Sequence, residues 1–133
     1  MNVALPSTYR FMEKVIRELI AMYEEAEVPL TTIHLGGDEV PEGAWMGSPV
    51  CRTFMDENGM TSAHELSEYY ITKMADYLQQ YHLQFSGWQE VALGHPETTD
   101  RHLNQLAAGV YCWNTVPEWE ADEIPYQLSL IHI

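Results

Sequence analysis

Segments with the apolar spacing of a helix alternate with short β-branched runs along this chain, and that alternation restricts its architecture more than any other feature. Met12, Val15, Ile16, Leu19, Ile20 and Tyr23 recur in the i, i+3, i+4 rhythm of an amphipathic helix. Ser7 is the expected N-cap, and Pro29 stands beyond the far end. The run Leu30 to Leu35 is short, β-branched and stopped by Gly36-Gly37, which predicts a buried strand. From Asp38 to about Thr61, Pro41, Gly43, Gly47, Pro49 and Gly59 predict a long loop. A loop of that length in a compact domain is usually functional or disordered, and the clusters around Trp45 and Cys51 favour an ordered one. Ser62 to Glu65 has the form of a capping box, and Leu66, Tyr69, Tyr70, Met74, Tyr77 and Leu78 continue it as a second helix. Leu83 to Trp88 reads as a second strand and Gly109 to Trp113 as a third, with a helical or irregular stretch between them. The expected fold class is therefore α/β, built of βα units on a parallel sheet.

Composition narrows the partners. The chain has 133 residues, which indicates one domain at most. Acidic residues number 20 against 6 lysines and arginines, giving a net charge of −14. Nucleic acid and anionic membrane surfaces both require a basic face, so neither is an expected partner. No apolar run approaches the roughly 18 residues of a spanning helix, so no membrane insertion is expected. The N-terminal residues show neither a basic region nor a long apolar run of a signal peptide. Cys51 and Cys112 permit one disulfide at most, and spacing does not decide whether they pair.

Parallel sheets place their chemistry at the C-terminal ends of the strands. Three such ends occur here: Gly36-Gly37-Asp38-Glu39, Trp88 followed by Gln89-Glu90, and Trp113-Asn114. Two carboxylates and two indoles at successive strand ends describe a sugar pocket, since an indole stacks on the apolar face of a pyranose. Neighbouring residues of a regular strand point to opposite faces. Asp38 and Glu39 can share one pocket only if the backbone leaves strand geometry, which Gly36 and Gly37 permit. Like charges held close cannot both ionise freely, so one carboxyl is expected to keep its proton to a higher pH and to serve as an acid. Taken by spacing alone, the same residues also fit a solvated turn whose aspartate caps the next helix. A metal site of His34, Asp38 and Glu39 is the weaker alternative, because a histidine on a strand is more commonly a hydrogen-bonded core residue. No metal or other cofactor is expected. Trp45 is expected to pin its loop. Tyr69, Tyr70 and Tyr77 are expected to pack, and the acidic residues from Glu118 to Glu123 to form a solvated face.

His34-Leu35-Gly36-Gly37-Asp38-Glu39-Val40-Pro41 resembles the signature of glycoside hydrolase family 20, the β-N-acetylhexosaminidases. Gly43 to Pro49, then Gly87-Trp88-Gln89-Glu90, then Tyr111-Cys112-Trp113 resemble the same family in the same order. The likeness runs from about residue 5 to 128. It implies a (β/α)8 barrel, of which this chain would supply about three βα units of the central part. It implies removal of terminal β-linked N-acetylglucosamine or N-acetylgalactosamine with retention, the substrate's own acetamido oxygen attacking to give an oxazolinium intermediate. On this resemblance Glu39 is the acid and base, and Asp38 orients the acetamido group and stabilises its charge. Trp88 and Trp113 wall the pocket, Glu90 is a lesser substrate contact, and His34, Gly36 and Gly37 support the strand end. The implied partner is an amino-sugar oligosaccharide or glycoconjugate. Bacterial family members of this type are commonly periplasmic or secreted.

The chain also departs from the family. A (β/α)8 barrel takes about 250 residues, roughly twice this length. None of Arg10, Arg17, Arg52 or Arg101 matches the family's substrate-clamping arginine. Residues 129–133 do not resemble the family and read as a tail to a domain fragment of residues 1–128. The isolated chain is expected to be inactive. A non-catalytic N-acetylhexosamine-binding remnant is the main alternative, and a retaining enzyme with Glu90 as a protein nucleophile is another.

Overall fold

The computed structural model describes residues 1–41, 43–91 and 107–111. Three helices accompany a three-stranded parallel sheet. Helix α1 spans Pro6–Glu25, strand β1 Thr32–His34, α2 Pro49–Asn58, α3 Ala63–Gln79, β2 Gln84–Trp88 and β3 Ala107–Tyr111. The sheet order is β1-β2-β3, so spatial order follows chain order. Thr32, Ile33 and His34 pair with Gln84, Phe85 and Ser86, while Gly87 and Trp88 pair with Val110 and Tyr111. An irregularity between Phe85 and Ser86 shifts the register against β3. The expected α/β class with parallel strands is what the chain adopts.

Alternation along the strands separates two sheet faces. Ile33 and Phe85, paired across β1 and β2, turn to the helix side with Leu35. There they meet Ile16 of α1 and Ile71, Met74, Ala75 and Leu78 of α3. Phe85, Ile16, Met74 and Leu78 are almost wholly buried, and truncating such a side chain to alanine costs about 2–5 kcal/mol. A second cluster gathers Val3, Cys51, Met55 and Leu66 between the N-terminal residues, α2 and α3. The opposite sheet face carries His34, Trp88 and Tyr111.

Two expectations about the helices need correction. Helix α1 begins at Pro6, not after Ser7, and Leu5 stands at the N-cap without a side-chain cap bond. Proline suits this place because its fixed φ is helical and a first-turn N–H has no partner to lose. The stretch expected as loop from Asp38 to Thr61 contains α2. Its turn-forming residues punctuate that helix. Ser48 accepts a hydrogen bond from the Cys51 N–H, Pro49 opens the first turn, and Gly59 closes the last in left-handed conformation.

The first strand is shorter than expected and half-buried to exposed rather than buried, while several other expectations on the described residues are met. The capping box forms: Ser62 Oγ accepts from the Glu65 N–H, and Glu65 Oε2 accepts from the Ser62 N–H at 2.9 Å. Trp45 packs beside the second cluster and donates its Nε1–H to the Met1 carbonyl at 2.8 Å, pinning the loop. Tyr70 and Tyr77 pack against the main cluster, and Tyr69 packs edge-on against Phe54. Cys51 is a buried free thiol that donates to Asn2 Oδ1. The third strand starts at Ala107, two residues earlier than expected. Cys112, Trp113, Asn114, the stretch 98–106, the acidic stretch 118–123 and the tail 129–133 lie outside the described residues. No helix of the described residues is long and apolar enough to cross a membrane.

Candidate active site

The site is built where β1 stops. The ladder between β1 and β2 continues past the strand: Leu35 donates to the Ser86 carbonyl at 2.8 Å, and Trp88 donates to the Gly36 carbonyl at 3.0 Å. The backbone then turns through three residues in the left-handed region, Gly36 at φ 77°, Gly37 at 99° and Glu39 at 46°. Glycine takes this region freely, whereas a side chain there is strained. Space imposes the same choice. A Cβ on Gly37 would stand 2.3 Å from Val91 Cγ2, a methyl group of the short 3-10 turn Gln89–Val91 after β2. A Cβ on Gly87 would stand 2.7 Å from that methyl and 2.9 Å from the Gly36 carbonyl oxygen. The Gly36-Gly37 turn is thus packed directly on the turn that follows Trp88.

Asp38 and Glu39 emerge from this turn, and both are exposed. Asp38 folds back, its Oδ1 3.9 Å from where a Cβ on Gly36 would lie. It also borders a cavity of about 160 Å³ together with Gly37, Val40, Trp45 and Tyr70. The departure from strand geometry that two adjacent carboxylates need is therefore present in the backbone.

His34 is not a core residue, as a histidine on a buried strand was expected to be. It is exposed, because it lies on the sheet face away from α1 and α3. Its Nδ1 accepts a hydrogen bond from the Gly36 N–H at 3.2 Å, across the start of the turn. Its ring meets Trp88 at 4.9 Å and Tyr111 at 5.3 Å, and Trp88 meets Tyr111 at 6.2 Å. The structure thus brings His34, Gly36, Gly37 and Trp88 together at adjoining strand ends. Glu90 follows in the 3-10 turn, half-buried. Among the described residues, no group of three His, Cys, Asp or Glu side chains could hold a metal ion. Trp113 lies outside the described residues. Tyr111 is the member of this cluster that residue types alone did not mark. Its signal was period two along the strand, which sets every second side chain on one face.

Residues 1–125 match the model of the glycosyl hydrolase family 20 catalytic domain. The chain belongs to that family. It is 36% identical over 100 residues to a beta-hexosaminidase of Vibrio furnissii, covering 75% of this chain and 16% of that protein. It is 34% identical over 91 residues to the mouse beta-hexosaminidase alpha subunit, covering 68% of this chain and 16% of the subunit. Among solved structures, a family 20 exo-β-N-acetylglucosaminidase of Vibrio harveyi, crystallised with N-acetylglucosamine, superposes with a TM-score of 0.74 at 30% identity. That match covers 96% of this chain and 18% of the Vibrio harveyi chain. The chain spans about a sixth of the length of these curated relatives.

Proposed function

We propose that this segment is an arc of a (β/α)8 barrel carrying the acid–base centre of an exo-β-N-acetylhexosaminidase, which hydrolyses terminal β-linked N-acetylhexosamine with retention. The observation that carries the reading is the left-handed run Gly36, Gly37 and Glu39, which delivers consecutive carboxylates from the C-terminal end of a parallel strand in a family 20 chain. Parallel-strand ends are where barrel enzymes place their chemistry. Consecutive strands that neighbour in space fit a barrel arc.

In the proposed mechanism the substrate's acetamido oxygen attacks the anomeric carbon, and the bond to the leaving oxygen breaks. Glu39 delivers its proton to that oxygen, then takes a proton from the water that opens the oxazolinium ring. Asp38 accepts a hydrogen bond from the acetamido N–H. Its charge offsets the positive charge growing on that group, an interaction stronger in the transition state than in the ground state. Trp88 and Trp113 wall the pyranose, with Glu90 a further substrate contact. His34, Gly36 and Gly37 hold the turn. The substrate is a terminal amino sugar of an oligosaccharide or glycoconjugate.

The test is a series of aryl glycosides of the complete enzyme's substrate in which fluorine replaces hydrogen on the acetamido methyl. Fluorine weakens the oxygen as a nucleophile, so kcat/KM should fall steeply with each fluorine. A flat series, or equal activity on glycosides lacking the acetamido group, would support a protein nucleophile instead. A sugar-binding remnant would bind N-acetylglucosamine in calorimetry yet turn over none of the series.

A further inference from the structure

The geometry points to Tyr111 as a positioning residue that sets the plane of the Trp88 indole, an inference that rests on the glycosidase reading of this pocket. Trp88 is tied by its backbone N–H to Gly36, but that bond leaves the ring free to rotate about its side-chain torsions. Among the described residues, two rings meet it. His34 approaches at 4.9 Å with planes at 70°, and Tyr111 at 6.2 Å with planes at 70°. Both are edge-to-face arrangements, in which the positive edge of one ring meets the negative face of another and fixes their relative angle. Tyr111 is opposite Trp88 in the β2–β3 register, so a neighbouring strand supports the ring at its own level. His34 sits between them and also holds the Gly36 N–H, so one connected group spans all three strand ends and the turn that bears Asp38 and Glu39.

Tyr111 is 47% exposed on a sheet face that no helix of the described residues covers. In a barrel arc that face is the interior, and Tyr111 lies there at the strand end beside Trp88. Stacking on a pyranose depends on the angle of the indole, and small displacements of a positioning group lower rates strongly.

The test uses the complete enzyme that carries this segment and an aryl N-acetyl-β-glucosaminide. Tyr111→Phe keeps the ring and should remain within about twofold of wild-type kcat/KM. Tyr111→Leu keeps bulk without the aromatic edge and should lose about tenfold. Tyr111→Met carries the same expectation if the leucine variant does not fold. The decisive readout is a double-mutant cycle. If Tyr111 acts through Trp88, the leucine substitution should cost nothing further in a Trp88→Ala background. A leucine variant within twofold of wild type would overturn the inference. So would an equal tenfold loss in both backgrounds, the signature of a merely structural role. An active wild type with either result leaves the glycosidase reading standing, whereas an inactive wild type overturns both.

Discussion

Glu39 holds a backbone conformation that residues other than glycine seldom adopt, at φ 46°, one residue beyond two glycines that are also left-handed. Strain of this kind persists where the surroundings impose it, and it is concentrated at functional sites. Gly37 shows what imposes it here, because its Cα faces a Val91 methyl with no room for a Cβ. Gly37→Ala should therefore destabilise the complete enzyme by about 1–3 kcal/mol, read as a lower thermal midpoint, and should reduce activity as the turn shifts. An unchanged midpoint would show that the turn has slack. Asp38→Asn should lower kcat by orders of magnitude with a smaller change in KM, since it removes a charge interaction specific to the transition state. Comparable losses in binding and turnover would argue for a purely structural aspartate. The need for glycine before Asp38 was legible in the sequence, because adjacent carboxylates cannot share a face on a regular strand. The left-handed Glu39 was not, since no residue type announces it. Nor was the exposure of His34, which depends on which sheet face the helices cover.

Helix α3 shows how local chemistry secures an element on which the site depends. Its first turn is closed by Glu65, whose Oε2 accepts from the Thr61 N–H at 2.6 Å, the Thr61 hydroxyl at 3.0 Å and the Ser62 N–H at 2.9 Å. The Thr61 backbone bond is the main cause that holds this carboxyl below its ordinary value of 4.5. A depressed folded-state value means the charged form is favoured by folding. Its contribution is therefore complete above about pH 4.5 and is lost as pH falls below that value. The protection factors of the first-turn amides, exchange rates corrected for the intrinsic pH dependence, should fall on acidification through this range. Ser62→Ala should weaken the same turn by about 1 kcal/mol and raise the same exchange rates at neutral pH. Exchange confined to the global rate in either experiment would contradict the account. Helix α3 was readable because periodicity and its capping box agree, α1 from its periodicity, and the strands from short apolar runs bounded by glycine. Helix α2 was concealed by its own boundaries: Pro49 and Gly59 read as loop formers, whereas Ser48 makes the first an opening and the left-handed Gly59 makes the second a stop. Ser7 misled for the opposite reason, as a good capping residue one place inside a helix that proline had already started.

The molecule as described is a parallel sheet with helices on one face only. The other face presents His34, Trp88 and Tyr111. Phe11 and Met22 of α1 are also largely exposed, at 57% and 62%. Unpaired strand edges and uncovered apolar surface favour association with other chains. The 133-residue chain on its own should therefore be aggregated or molten and should hydrolyse aryl N-acetyl-β-glucosaminides negligibly. A monodisperse monomer with a cooperative thermal transition would contradict this. The excess of acidic residues bears on partners and solubility rather than on the fold, and the order of motifs along the chain pointed to family 20 more sharply than composition did. The most direct measurement is turnover of an aryl N-acetyl-β-glucosaminide by the complete enzyme, as wild type and as Glu39→Gln. The account predicts an active wild type and a folded glutamine variant whose kcat/KM falls at least a thousandfold, roughly the upper part of the range a general acid contributes. A glutamine variant that turns over at near wild-type rates would contradict it.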